Sequence, residues 1–143
     1  MGRVICEKDV AAPADAVWAV LADFAGFLDW TGGTDGGRSI EIEGSGEGMV
    51  RHLVLPGIGQ MAERLVRLDD RTRTQVYELV SGQPIGMATY RATVVVSEAP
   101  GGTRLHWTGE FEPAQGADAD AIVEGLRGSY NGMSDALAAA ANK

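Results

Sequence analysis

Residues 118–141, DADAIVEGLRGSYNGMSDALAAAA, set Ile122, Leu126, Tyr130, Met133 and Leu137 three and four residues apart. That spacing puts them on one side of a single amphipathic helix, roughly 35 Å long at 1.5 Å per residue. A helix with one apolar face must bury it, and the chain upstream offers a sheet. From Ser39 to Glu112 the pattern alternates between short β-prone runs and turn residues. Six strands are predicted, at about 38–43, 48–55, 60–69, 73–81, 87–97 and 103–112. The breaks fall at Gly44-Ser45-Gly46, Pro56-Gly57-Ile58-Gly59, Asp69-Asp70, Gly82-Gln83-Pro84 and Pro100-Gly101-Gly102. Connections this short imply an antiparallel meander. Residues 3–10 read as a further strand. Pro13 then opens a helix carrying Asp15 in its first turn and Val17, Trp18, Leu21 and Phe24 on one side. Phe27-Leu28-Asp29-Trp30 reads as a second, very short helix before the glycine-rich stretch 32–37. The architecture expected is α+β: a seven-stranded curved antiparallel sheet around a long C-terminal helix, with two short helices after the first strand.

The chain has 143 residues, which suits one domain over 1–143. With 45% hydrophobic and 22% charged residues it has a globular composition. Glycine is in excess, 20 of 143, or about twice the usual ~7%. The net charge of −8 argues against binding to a nucleic acid or an anionic membrane surface. Cys6 is the single cysteine and reads as a small buried thiol in Val4-Ile5-Cys6. No leader pattern opens the chain and no apolar run is long enough to span a membrane, so a cytoplasmic location is expected.

Strand parity assigns the faces. Leu105, Trp107 and Phe111 share the inner face of the last strand, and Tyr90, Ala92 and Val94 that of the strand before it. Tyr77 and Leu79 point inward on the next. Leu53 and Leu55 inward bring Arg51 inward too; Met61 and Leu65 inward bring Glu63 with them. In a hairpin turning near Gly57-Ile58, Arg51 and Glu63 become cross-strand neighbours within reach of a charge-assisted hydrogen bond. Such a pair either closes one end of a filled core or serves as a polar anchor in a ligand cavity. Leu126, Tyr130 and Met133 supply the facing wall. Gly125, Gly128 and Gly132, each costing close to 1 kcal/mol in a helix relative to alanine, favour a hollow interior. A set of this kind suits an aromatic or lipophilic molecule with one polar handle.

Other chemistries find little support. His52 and His106 fall on the outer face, which removes the usual general base. No Cys/His cluster has zinc spacing and no carboxylate set resembles a calcium loop, so neither metal nor cofactor is expected. Gly44-Ser45-Gly46-Glu47-Gly48 lies between two strands and reads as a turn rather than a dinucleotide fingerprint. No nucleophile elbow is present.

Several segments resemble the SRPBCC superfamily in order along the chain. They are Ala12-Pro13-Ala14-Asp15-Ala16-Val17-Trp18 with Asp23-Phe24 and Trp30, then Gly48-Met49-Val50-Arg51, then Glu63-Arg64-Leu65 with Leu68-Asp69-Asp70. Tyr90-Arg91-Ala92 and Arg104-Leu105-His106-Trp107 complete the set. The resemblance is to the START-like, helix-grip group that includes polyketide cyclase/dehydrase-like proteins, and it covers nearly the whole chain. It implies the helix-grip fold and one of three functions. The first is binding of a small lipophilic or aromatic ligand. The second is an aromatase/cyclase-type enzyme with Arg51, Glu63 and Tyr90 as acting groups. The third is a cochaperone-like module that reads a partner through an outer face carrying Arg64, Arg91, Arg104, His106 and Glu110. Similarity to plant abscisic-acid receptors at Glu63-Arg64-Leu65 and Tyr90 implies that Glu63 and Tyr90 line a pocket. Gln83-Pro84-Ile85-Gly86 departs from the His-Arg-Leu of the receptors' latch, so the likeness extends to the pocket and not to hormone reception. Gly57, Gly59, Gly82 and Gly86 give the loops the character of a flexible rim.

Overall fold

A computed structural model describes all residues 1–143. The elements in chain order are β1 (Gly2–Val10), α1 (Ala14–Ala22), α2 (Phe27–Trp30), β2 (Ser39–Glu43) and β3 (Val50–Leu55). They continue with β4 (Gly59–Asp69), β5 (Thr74–Ser81), β6 (Met87–Ala99), β7 (Gly102–Pro113) and α3 (Ala119–Ala141). The seven strands form one antiparallel sheet in the order β1-β7-β6-β5-β4-β3-β2. It is the meander expected from the turn punctuation, with β1 added beside β7. No helix is long and apolar enough to cross a membrane.

The boundaries follow local chemistry. Pro13 (φ −64°, ψ 139°) caps α1 instead of opening it, so the helix starts one residue later than its sequence suggests. At α3 the Asp118 carboxylate accepts a hydrogen bond from the Asp120 N–H at 2.9 Å, satisfying one of the orphan donors of the first turn. Single 3₁₀ turns at Phe24–Gly26, Asp35–Gly37 and Pro84–Gly86 are too short to leave a periodic signature.

The main core lies where α3 and α1 cover β1, β7 and β6. It joins Val17, Leu21 and Phe24 to Leu105, Trp107 and Phe111, and these to Ile122, Tyr130 and Leu137 of α3. Polar side chains pin the helices to the sheet. Gln75 donates from Nε2 to the Leu21 carbonyl at 2.8 Å, Thr103 donates to the Ala12 carbonyl at 2.6 Å, and Trp18 donates to Asp70 at 2.8 Å. A smaller cluster, Leu28, Leu53 and Leu55, closes the far end of the sheet beneath α2. Between the two the packing opens. The β5–β6 pairing runs from Thr74–Val95 only as far as Glu78–Arg91, and the unpaired ends are joined through the Pro84–Gly86 turn.

Gly109 marks the closest approach between sheet and helix. It sits opposite Ala92 on the inner face, and a Cβ there would overlap the hydroxyl of Tyr130 and come within 3.4 Å of the Tyr90 ring. Gly109→Ala is therefore expected to destabilise the fold by about 1–3 kcal/mol, the usual range for overpacking. Because the overlapping atom is the Tyr130 hydroxyl, adding Tyr130→Phe should recover part of that loss. Chemical denaturation of the two single variants and the double variant checks this; strictly additive losses would contradict the assigned contact.

Candidate functional site

The opening between the two clusters is a cavity of about 190 Å³ between the concave face of β3–β6 and the middle of α3. Its sheet wall is Arg51, Leu53 and Leu55 from β3, Met61 and Glu63 from β4, Tyr77 from β5, and Met87 and Tyr90 from β6. Gly125, Leu126, Ser129 and Met133 face them from α3, and Phe27 of α2 closes one side. The mouth is formed by Ile58, in the β3–β4 turn, and by Pro84 and Ile85. Ile58 and Ile85 are 45% and 42% exposed although they line the cavity. Ile85 also adopts φ +46°, a left-handed conformation that is strained for a β-branched residue.

At the base lies the one charged feature. The β3–β4 register sets Arg51 opposite Glu63, and both are buried, at 4% and 6% exposure. Arg51 donates from Nε to Glu63 Oε1 at 2.9 Å and places Nη2 2.8 Å from the same oxygen; Nη1 donates to the Phe24 carbonyl at 3.2 Å. Its guanidinium lies 3.9 Å from the ring centroid of Phe24, 4.3 Å from that of Phe27 and 5.1 Å from that of Tyr77. Opposite charge, a backbone acceptor and three aromatic faces thus replace the water this cation has lost. Glu63 Oε2 has no protein partner and is not sealed off from the cavity.

Three tyrosines stand above the pair. The Tyr90 and Tyr130 hydroxyls hydrogen-bond to each other, and the Tyr77 ring meets Tyr90 edge-on at 6.1 Å. Burial, reinforced by the Glu63 charge, pushes the Tyr77 phenol above its ordinary range. Burial likewise raises Tyr90 and Tyr130, with the neighbouring tyrosines adding to the effect at Tyr90. All three stay protonated at neutral pH, as hydrogen-bonding groups rather than bases.

The geometry brings Arg51, Leu53, Leu55, Met61, Glu63, Tyr77, Tyr90, Leu126 and Met133 around one cavity. The other residues that parity turned inward are placed elsewhere. Tyr130 lies behind Tyr90, stacked on Trp107 with centroids 4.8 Å apart and 12° between planes. Trp107 is further fixed by donating to Ser134 at 2.9 Å, and reaches only a crevice of about 10 Å³. Phe111 fills the space left by Gly2 beneath β1, and Ala92 lies behind the tyrosines opposite Gly109. Leu79 packs against the main core where the β5–β6 pairing has ended. Of the helix glycines only Gly125 faces the cavity; Gly128 and Gly132 are exposed, with open space where a Cβ would be. The wall residues missing from the sequence reading are Phe27, Ile58, Pro84, Ile85, Met87, Gly125 as a lining residue, and Ser129. The glycines flanking 58 and 84–85 were the available signal for the mouth.

Outside, His52 pairs with Glu43 and His106 with Glu7, each at 3.0 Å. Arg91 and Arg64 both bind Glu78 and hold its carboxyl below the usual carboxylate range, while Arg104 binds Asp9 at 2.7 Å.

The buried pair has a measurable signature. Glu63→Ala leaves Arg51 charged and unpaired and should cost about 3–5 kcal/mol, whereas Arg51→Met with Glu63→Leu should approach the wild type in stability. A double-mutant cycle on unfolding free energy checks this, with near-zero coupling as the contradicting result.

Comparison with known proteins agrees with this architecture. The family model described as polyketide cyclase / dehydrase and lipid transport matches residues 1–142. MLP-like protein 423 of Arabidopsis thaliana is 28% identical over 120 residues, covering 78% of this chain and 76% of the relative. Among solved structures, the protein XoxI from Bacillus cereus superposes with a TM-score of 0.80 at 23% identity, covering 98% of this chain and 95% of that one. Truncated norcoclaurine synthase from Thalictrum flavum gives 0.75 at 23% identity, covering 96% and 91%. These structural likenesses establish the helix-grip fold, a curved seven-stranded sheet around a long C-terminal helix. The match over residues 1–142 carries the further conclusion that the chain belongs to the polyketide cyclase / dehydrase and lipid transport family.

Proposed function

We propose that the protein binds a small aromatic or lipophilic molecule in the cavity between sheet and helix. The observation that carries this reading is an apolar, partly open cavity with a buried ion pair at its base. Its volume sets the class of ligand. A dry cavity of about 150 Å³ lined by apolar side chains holds benzene, so about 190 Å³ suits one ring with a small substituent. Residues for the apolar part are Leu53, Leu55, Met61, Met87, Leu126 and Met133; those for the polar part are Arg51, Glu63, Tyr77 and Ser129.

The cyclase reading is supported less well. An extended poly-β-keto chain exceeds this volume, Arg51 and Glu63 hold each other, and the Tyr90 hydroxyl is engaged by Tyr130. A role as an interaction module draws no support from the outer face, where Arg64, Arg91, Arg104 and His106 are matched by Glu78, Asp9 and Glu7. Family membership, with lipid transport in the family's description, agrees with binding.

Gly125 provides a test that does not threaten the fold. A Cβ at this position meets only the flexible tip of Ile85, at 3.2 Å. Gly125→Leu should fill the cavity mouth while raising helix propensity by roughly 0.8 kcal/mol. Titrating toluene and phenol into wild type and variant by calorimetry should give measurable binding to the first and at least tenfold weaker binding to the second. The melting temperature should be unchanged or higher. Equal affinity in the two proteins would place the ligand elsewhere. Native mass spectrometry of freshly purified wild type should in addition show a small bound molecule that is absent from the variant.

A further inference from the structure

We infer that the Arg51–Glu63 pair makes the cavity selective for neutral ring compounds that donate a hydrogen bond, phenols being the simplest, and turns carboxylates away. This rests on the binding reading above and adds the chemistry of the polar end.

An arginine at the base of a pocket invites an anionic ligand, but here its charge is already matched by Glu63. Nε donates to Glu63 Oε1, Nη2 lies 2.8 Å from the same oxygen, Nη1 donates to the Phe24 carbonyl, and the flat faces are occupied by Phe24, Phe27 and Tyr77. The free acceptor belongs to the other partner. Glu63 Oε2 makes no bond within the protein, lies on the cavity wall and is not sealed away. An ionised carboxylate oxygen only accepts hydrogen bonds. The group that completes this site is therefore a donor.

Charge points the same way. Arg51 and Glu63 together are neutral, and no lysine or histidine lines the cavity. A carboxylate ligand would enter as a third buried charge beside Glu63, with no free cation to meet it. An ammonium ligand finds the acceptor but stands beside the buried Arg51 charge, and it too must leave water without full compensation. A neutral hydroxyl donates to Oε2 without adding charge. The Ser129 hydroxyl, also on the wall, can accept from or donate to the same ligand.

The test compares four ring probes of similar size on the wild-type chain by calorimetry at pH 7: toluene, phenol, benzoate and benzylamine. Phenol should bind about tenfold or more tightly than toluene, the scale of a hydrogen bond to a charged group. Benzoate and benzylamine should both bind at least tenfold more weakly than phenol. In Glu63→Gln the order should invert, with Arg51 released from its partner: benzoate gains at least tenfold and phenol loses. If that variant does not fold, Arg51→Met with Glu63→Leu takes its place and should bind phenol and toluene equally. Equal binding of phenol and toluene to wild type, or benzoate binding as tightly as phenol, overturns the inference and leaves the cavity reading standing. Failure of all four probes, toluene included, overturns the cavity reading and the inference with it.

Discussion

A guanidinium and a carboxylate face each other on the concave side of a sheet, each almost wholly removed from water. Neither is tolerable there alone, since an isolated buried charge costs far more than a small domain can spare. Much of the local structure can be read as the response to that constraint. The β3–β4 register brings Arg51 and Glu63 opposite each other; the turn at Phe24 offers its carbonyl; and the rings of Phe24, Phe27 and Tyr77 cover the faces of the cation. The arrangement leaves Glu63 Oε2 without a protein partner, and Glu63 lies on the wall of the part of the interior that stays hollow.

The interior is consequently of two kinds from one side of the sheet to the other. Towards β1 and β7 it is filled, with Trp107 stacked on Tyr130 and locked to Ser134, and Phe111 set against Gly2. Towards β3 and β4 it is open. The partition is the hydrogen-bonded pair of Tyr90 and Tyr130, for which Gly109 leaves room. Tyr130 belongs to the packed side and Tyr90 to the cavity wall, so one hydrogen bond couples the rigidity of the core to the shape of the cavity. The strained Ile85 stands at the mouth, with its Cδ1 3.2 Å from where a Cβ on Gly125 would be.

Much of this was legible in the sequence because its information has the period of the structure. Alternation in the strands turned Arg51 and Glu63 inward, and the Pro56–Gly59 turn set their register, so their pairing followed from counting. The three- and four-residue spacing of Ile122, Leu126, Tyr130 and Leu137 likewise marked the gripped face of α3. Parity, however, gives a face and not a depth. Trp107 and Phe111 point inward as surely as Tyr77 does, but only the packing of α3 and β1 over them decides that they are core and not cavity wall. Phe27 and Ile85 escaped because they sit on single turns, where no period exists to read. Gly128 and Gly132 suggest relief for a cavity, yet both are exposed with open space where a Cβ would be, one and two turns beyond Gly125, which does face it.

The methionines offer the most direct measurement of the central claim that a small ring occupies this cavity. Met61, Met87 and Met133 line it, whereas Met49 packs against the main core and Met1 is exposed. In a protein labelled at the methionine methyl groups, a titration with phenol followed by NMR should shift the resonances of Met61, Met87 and Met133 together, along one saturating curve. Met1 and Met49 should stay in place. Shifts confined to Met1 or Met49, or no saturable shift at the three cavity methyls, would contradict the account.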